Sequence, residues 1–379
     1  MRKLKNILVT GGAGFIGSNF IHYMFGASTS GEAAFEDAAF SGRIVNVDAL
    51  TYAGNGESLD DVDAEFGTGC KDKAKRRYFF EKADICDRAE MERIFKQYDI
   101  DTVVHFAAES HVDRSILGPE AFIKTNVMGT YTLLDVARLY WGVSLDNPRD
   151  DVLFHHISTD EVYGSLGPTG YFTETTPYDP RSPYSSSKAS SDHIVMAYHH
   201  TYGLPITLSN CTNNYGPYQF PEKLIPLMIL NMQQGKNLPV YGEGTNIRDW
   251  IYVEDHNRAV WLILKNGKSG EKYNIGGENE WQNIKLLDKL IELTARELKK
   301  PEDDIRKTIT HVKDRPGHDQ RYAIDCAKIK RELGWERKMT FEQGLELTVR
   351  WNLTHPDWIN RILSGEYLKW VNKNYGERK

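Results

Sequence analysis

The chain has 379 residues, 26 % charged and 40 % hydrophobic, with a formal net charge of −6 from 47 Lys and Arg against 53 Asp and Glu. That length is ample for a buried core and more than one lobe, and the composition excludes a disordered or collagenous chain. The negative balance speaks against nucleic acid as a partner. No apolar run approaches the roughly 18–20 residues of a membrane span.

Only Ile7, Leu8 and Val9 separate the basic first residues from the first glycines, too few for the roughly 7–15 apolar residues of a secretory leader. Cys70, Cys86, Cys211 and Cys326 form no CxxC pair, so they read as reduced thiols of a cytoplasmic protein. Short apolar runs bounded by turn residues recur at 7–10, 44–48, 78–81, 102–107, 153–158 and 206–210, with another at 273–275. They are apolar rather than alternating, as strands buried on both faces are. Helical spacing fills 89–97, 129–140 and 185–201. The alternation predicts an α/β fold: a Rossmann-type, doubly wound parallel sheet with right-handed crossovers.

Beyond residue 213 the pattern changes. The stretch 213–230, rich in Pro, Tyr and Asn, reads as a surface-forming, ligand-contacting region rather than a sheet. Residues 248–265 turn helical at their end, and 286–299 and 341–351 are amphipathic helices. These shifts predict one domain at 1–212 plus 249–280 and a smaller, mixed lobe at 213–248 plus 281–379. Residues 71–77, five of seven basic, read as a solvated loop.

Gly11, Gly14 and Gly17 follow the first strand and open a helix. The first allows a tight turn, the second a close backbone approach to a pyrophosphate, and the third close helix packing. The helix N-terminus adds free N–H groups and a positive dipole end. Asp48 ends the second strand, where a dinucleotide fold places a carboxylate for the adenosine ribose hydroxyls. It lies 31 residues beyond Gly17 because residues 27–41 are inserted into the crossover. An acid there favours NAD over NADP, whose 2′-phosphate it would repel.

Tyr184 and Lys188 stand four apart on a predicted helix, so both reach one ligand. A tyrosine of pKa ~10 is a poor base at neutral pH, and a fixed ammonium beside it would favour the phenolate. The fifth strand ends in Thr159, Asp160 and Glu161, at the sheet edge where open α/β folds bind ligands. Two adjacent acids can divide acid and base work when their surroundings separate their pKa values. The pairs His155–His156 and His199–His200 lack a closed ligand set, so no metal is expected.

TGGAGFIGS, HFAAESHVDRS, STDEVYG, YSSSK, NNYGPYQFPEKLIP, IRDWIYVEDH and DRPGHD, in this order, resemble the extended short-chain dehydrogenase/reductase superfamily and, within it, the dTDP-glucose 4,6-dehydratases. The resemblance runs over nearly the whole chain. It implies a homodimer with a helical interface formed by 89–97 and 185–201, and NAD as cofactor in the first domain. Gly14, Phe15 and Ile16 would then approach the pyrophosphate, Asp48 and Thr51 the ribose, and Asp84 and Ile85 the adenine. Ala107, Ala108 and Thr125 would line the cofactor cleft, with Tyr184, Lys188 and Asn214 around the nicotinamide ribose and ring.

In the second domain, Ser110, Thr159, Asn213, Lys223, Pro239, Tyr241, Arg248, Asn283, Arg315, His318 and Tyr367 match positions that bind the nucleotide sugar, dTDP-glucose. A diphosphate needs charge-assisted donors, which the basic members supply. The implied reaction begins with oxidation at carbon 4 by Tyr184, supported by Lys188 and Thr159. Glu161 then removes the carbon 5 proton, Asp160 protonates the departing 6-hydroxyl, and hydride returns. Epimerases of this fold usually carry small residues in place of Asp160–Glu161, which separates this reading from a UDP-sugar 4-epimerase. A dehydratase acting on a different nucleotide sugar would share all of these motifs. An inactive NAD-sensing protein would be expected to lose Tyr184 or Lys188, and both are present.

Overall fold

The computed structural model describes residues 2–26 and 40–363. In chain order it contains β1 (Asn6–Thr10), α1 (Phe15–Met24), β2 (Arg43–Asp48), β3 (Tyr78–Lys82), α2 (Arg88–Tyr98), β4 (Thr102–His105), α3 (Thr130–Trp141), β5 (Leu153–Thr159), α4 (Pro183–Tyr202) and β6 (Ile206–Cys211). After these come β7 (Asn213–Tyr215), α5 (Leu224–Gln234), β8 (Leu238–Tyr241), β9 (Ile247–Tyr252), α6 (Val253–Asn266), β10 (Glu271–Ile275), β11 (Glu280–Gln282), α7 (Asn283–Leu298), β12 (Ile309–Val312) and α8 (Phe341–Thr354).

The main sheet has seven parallel strands in the order β10-β6-β5-β4-β1-β2-β3. Its order reverses between β1 and β4, and at such a switch point the strand ends open a crevice for a ligand. One apolar core lies under α1 and α6, built on Ile7, Val9, Phe20, Ile21 and Val260. The other lies under α2, α3 and α4, built on Leu8, Val103, Leu133, Phe154 and Leu208. Both faces are covered, which is why these strands read as continuous apolar runs. The run 102–107 reads as strand throughout, but β4 stops at His105, and Phe106 and Ala107 leave the sheet to pass Gly11.

A three-stranded sheet, β11-β9-β7, packs with α5, α7 and α8 around Tyr215, Ile229, Trp250, Leu290 and Leu345. β8 and β12 pair beside it. Here the expectation for 213–230 is corrected. Residues 213–215 are a strand, 224–234 are a helix, and Tyr215, Ile225, Met228 and Ile229 are buried. Pro226 stands in the first helical turn, whose N–H groups have no intrahelical partner, so the helix tolerates it. The basic segment 71–77 is also only partly solvated, since Arg77 lies against the rings of Phe25 and Phe66 at 4.6 and 4.7 Å. The four cysteines are free thiols, and no described helix is long and apolar enough to cross a membrane.

Candidate active site

The β1–α1 turn is made of backbone. Gly11 has φ +72°, and a Cβ on it would sit 2.6 Å from the amide nitrogen of Ala107. Gly17 lies so close to the carbonyl of Gly11 that a Cβ would come within 2.3 Å of that oxygen. Gly12, which stands outside the regular glycine spacing, is as constrained: a Cβ there would meet Oδ1 of Asn46 at 2.2 Å. Over Gly14 nothing but the turn itself approaches, and as N-cap of α1 it brings no side chain to the free N–H groups of Phe15 and Ile16.

Asp48 braces this turn. Its Oδ2 accepts from the N–H of Ala13 at 3.0 Å and its Oδ1 from that of Leu50 at 2.8 Å. Each oxygen keeps a lone pair for a further donor. Burial raises this carboxyl above its ordinary range, and the two backbone donors oppose the rise. Thr51 follows in the same loop. Beyond β3, Asp84 accepts from the N–H of Cys86 and Ile85 is buried. The N–H of Ala107 donates to Thr10 Oγ1 at 3.3 Å, and Ala108 continues this segment. Thr125 lies in a wide helical turn, Ile123–Gly129, of the π type common at functional sites. Its neighbour Asn126 ties that turn to the N–H of Glu109 and to Ser187 of α4.

At the end of β6, Thr212 Oγ1 and Asn214 Oδ1 are buried without a hydrogen-bond partner. Open helix N–H groups, a strand-end carboxylate and two unsatisfied polar atoms in one crevice fit a dinucleotide. No described group of His, Cys, Asp and Glu is arranged to hold a metal ion. His155 bonds Thr207, and His199 bonds the carbonyl of Leu204.

Opposite the turn, β5 ends in Thr159 and a tight turn, Asp160–Tyr163. The Thr159 hydroxyl donates to Asp160 Oδ1 at 3.3 Å and accepts from the N–H of Glu161 at 3.3 Å. Ser182 caps α4 in a reciprocal bond with Ser185, and Pro183 at the first helical position starts the helix that carries Tyr184 and Lys188. Tyr184 is buried with Phe122 against its ring.

The charge on Tyr184 differs from expectation. Burial pushes its phenol well above the ordinary value, the charges of Glu161 and Cys211 add to that, and Thr159 opposes it. Lys188 does not lean on the phenol: its Nζ donates to the carbonyl of Ile157 at 2.8 Å and lies 3.4 Å from His156 Nε2. Desolvation sets the direction of this shift.

The two acids face different surroundings. Burial drives Asp160 well above the carboxylate range, Glu161 and Asp249 add to this, and Arg248 and Thr159 oppose it. Its Oδ2 has no partner. Burial also raises Glu161, but Arg315, Arg248 and Lys223 pull it back. Those three cations arrive from distant parts of the chain. Arg248 donates to the carbonyls of Ile247 and Asp319 and lies 4.3 Å over the ring of Tyr322. Lys223 donates to the carbonyl of Ser110 at 3.0 Å, and Arg315 stands 3.8 Å from Asp113.

Around them, Tyr241 donates to Asp113 and His318 bonds Asp314. Burial and the charges of Arg315 and Arg248 push His318 down to about 4. Asn213 is on β7, Pro239 on β8 and Asn283 at the start of α7. Tyr367 and most of the insert at 27–41 lie outside the described residues. Sequence reading missed Asp113, which Arg315 approaches, Asp319 and Tyr322, which hold Arg248, and Glu222, which pairs with Arg114 and whose charge acts on Lys223. It also missed Asp192, whose signal was present as a second step of four, from Tyr184 to Lys188 to Asp192.

Residues 8–348 match the family model described as GDP-mannose 4,6 dehydratase. The chain is 52 % identical to the dTDP-glucose 4,6-dehydratase of Salmonella typhimurium, covering 98 % of this chain and 99 % of the relative. It is 53 % identical to that of Neisseria meningitidis, over 96 % and 98 %. Among solved structures, the dTDP-glucose 4,6-dehydratase of Streptomyces venezuelae with NAD bound aligns at TM-score 0.81 and 42 % identity, over 94 % of this chain and 99 % of that one. A UDP-glucose 4-epimerase of Thermotoga maritima aligns at TM-score 0.76 and 30 % identity, over 92 % and 99 %.

Proposed function

The chain belongs to the GDP-mannose 4,6 dehydratase family, among its dTDP-glucose 4,6-dehydratases, and from that membership we propose how its own residues divide the reaction. It is an NAD-dependent hydro-lyase that converts dTDP-glucose to dTDP-4-keto-6-deoxyglucose and water. Bound NAD supplies the hydride acceptor for carbon 4 and the hydride donor for carbon 6. Gly11, Gly14, Phe15, Ile16 and Gly17 would hold its pyrophosphate and Asp48 and Thr51 its ribose. We assign residues 1–212 plus 249–280 to the cofactor and 213–248 plus 281–379 to the nucleotide sugar.

Tyr184 takes the proton of the 4-hydroxyl. Its raised pKa makes this the step that needs help, and Lys188, four residues on along the same helix face, is the cation placed to give it. Thr159 donates to the oxygen of the resulting ketone. Glu161 removes the proton at carbon 5, now acidified by the ketone. Asp160 gives its proton to the 6-hydroxyl, which leaves as water.

The observation that carries this division is the unequal setting of the two acids. Asp160 is buried beside two other carboxyl groups with one oxygen unpartnered, whereas Glu161 faces three cations. A pair pulled apart in this way supplies an acid and a base at one pH. An epimerase needs no base at carbon 5, so the pair favours dehydration. Arg248, Arg315 and Lys223 suit the diphosphate.

We further propose a cytoplasmic homodimer, but with a different helix pair from 89–97 and 185–201. The outer face of α2 carries the ion pairs Arg88–Glu92 and Arg93–Glu90. Met128, Tyr131, Leu139 and Tyr202, on and beside α3 and α4, are exposed apolar residues that suit a helical two-fold contact. The test is incubation of the purified protein with dTDP-glucose and, separately, UDP-glucose. Mass spectrometry is expected to find loss of one water from the thymidine nucleotide sugar. Release of an isomer of unchanged mass would identify an epimerase instead.

A further inference from the structure

Behind Lys188 lies a buried polar group that the reaction as described does not use. Asp192 stands one helical turn beyond Lys188 on the same face of α4, and it, His156 and Lys188 are all at most 4 % exposed. Its Oδ2 accepts from the hydroxyls of Ser158 at 2.8 Å and Tyr178 at 2.9 Å, and from Asn210 at 3.5 Å. Its Oδ1 faces His156 Nε2 at 3.2 Å. The same nitrogen is 3.4 Å from Lys188 Nζ.

One ring nitrogen cannot donate and accept at once. An ammonium only donates and a carboxylate only accepts, so the two neighbours make opposite demands on Nε2. Burial raises the Asp192 carboxyl above its ordinary range, and the charge of Lys188 and three donors on Oδ2 oppose the rise and favour the ionised form. Oδ1 has no hydrogen-bond partner although Nε2 lies near it, so the neutral ring accepts from Lys188, which also donates to the carbonyl of Ile157. The neutral ring thus stands between a cation and its compensating anion. A direct Lys188–Asp192 pair would draw the ammonium away from the cofactor side.

We propose that Asp192 is the counter-ion of Lys188, and that His156, standing between them, keeps the two apart so that the ammonium stays available to Tyr184. Both are positioning residues, and the assignment rests on the role given to Lys188 under the proposed function. Burial lowers the lysine, and Asp192 is the strongest influence opposing that.

The groups that face this trio from neighbouring elements leave Asp192 in that part. His105 of β4, next to His156 at 5.2 Å between ring centroids, is kept neutral by burial, as are His155 and His156 itself. Cys211 of β6 is pushed up to about 12, and Tyr163, Tyr178 and Tyr184 are raised above their ordinary values. Asp160 acts on Cys211 and Tyr163 and is itself driven toward its neutral form. Lys272 of β10 stands over the far side of the Tyr178 ring at 5.0 Å, with Glu174 near it.

The test uses the NAD-loaded full chain and the substitutions Asp192→Asn and Ser158→Ala. In protein labelled with nitrogen-15 at lysine Nζ, Asp192→Asn is expected to lower the titration midpoint of Lys188 by about one pH unit. The alkaline limb of kcat/KM for dTDP-glucose moves down with it, while NAD affinity changes less than about threefold. Ser158→Ala removes one donor from Asp192, so the carboxylate protonates sooner and the acid limb moves up by about half a unit. A midpoint and limbs that stay put, or a loss of rate uniform across pH, overturn the counter-ion role. If Asp192→Asn does not fold, the acid limb of Ser158→Ala decides alone. Should the parent protein form no 4-keto product, the proposed function fails, and the lysine titration still decides this inference.

Discussion

Across the crevice from each other, the β1–α1 turn and the β5–α4 wall reach their ligand by different physics. At the turn the contact surface is peptide backbone: Gly11, Gly12 and Gly17 are needed for what they lack, and one carboxylate, Asp48, braces the loop by accepting two N–H groups. At the wall the surface is side-chain charge held out of water, with Asp160, Glu161, Tyr184 and Lys188 fed by cations from three other segments. A backbone contact is tuned by sterics and does not itself titrate, while a wall of buried ionisable groups is tuned by its neighbours' charges. The first can hold a cofactor through a whole catalytic cycle. The second can change protonation within it.

The largest expected effect falls on the wall. Glu161→Gln keeps the size of the side chain but removes the proposed base, so kcat is expected to fall by about 10²–10⁴-fold. The turn is untouched, so NAD binding should remain within about threefold. Mixing this variant with dTDP-glucose should leave the absorbance of reduced cofactor standing, because oxidation at carbon 4 precedes the step that needs Glu161. A variant that turns over normally, or that releases NAD, would show that the two sides are not separable in this way.

Gly11→Ala probes the other side. The new Cβ would need left-handed backbone and would meet the Ala107 main chain at 2.6 Å, where nothing flexible can yield. Strain of about 2–4 kcal/mol is expected, part conformational and part overpacking. NAD affinity should drop by at least about tenfold at every pH from 6 to 9, measured by calorimetry. A loss that varied with pH would mean that the turn, too, works through a titrating group.

How much could be read in advance follows the same divide. The strands of the main sheet announced themselves because both faces are covered, and Asp48 was findable at a strand end in spite of the long insert before it. Local spacing also picked out Gly11, Tyr184 and Lys188. The cations facing Glu161 were named only through resemblance. Lys223, Arg248 and Arg315 are spread along the chain, and only the return of β9 and the loop beyond β12 brings them to one place. Three-residue strands such as β7 carry too little periodicity to detect, so 213–215 passed for surface. The direction of Lys188 was out of reach as well, because it depends on which of His156, Ile157 and Tyr184 its ammonium meets.

The smallest effect tests whether burial of polar groups at the wall is tolerable because they are partnered. His155 on β5 and His256 on α6 are both fully buried and both pushed down to about 3. His155 is bonded to Thr207 and Ser209, whereas both nitrogens of His256 lack a partner. An unfolded chain protonates such a histidine near its ordinary 6.5 and the folded chain only near 3, so stability is lost as pH falls through that window. His256→Leu removes this proton uptake and should recover about 2 kcal/mol at pH 4.5 relative to pH 7.5, read from urea midpoints. It also removes two unsatisfied nitrogens, so no loss is expected at pH 7.5. His155→Leu flattens the acid loss similarly but strands two hydroxyls, and it should cost about 1–3 kcal/mol at pH 7.5. Equal losses for both at pH 7.5 would mean that partners do not separate the wall from the rest of the interior.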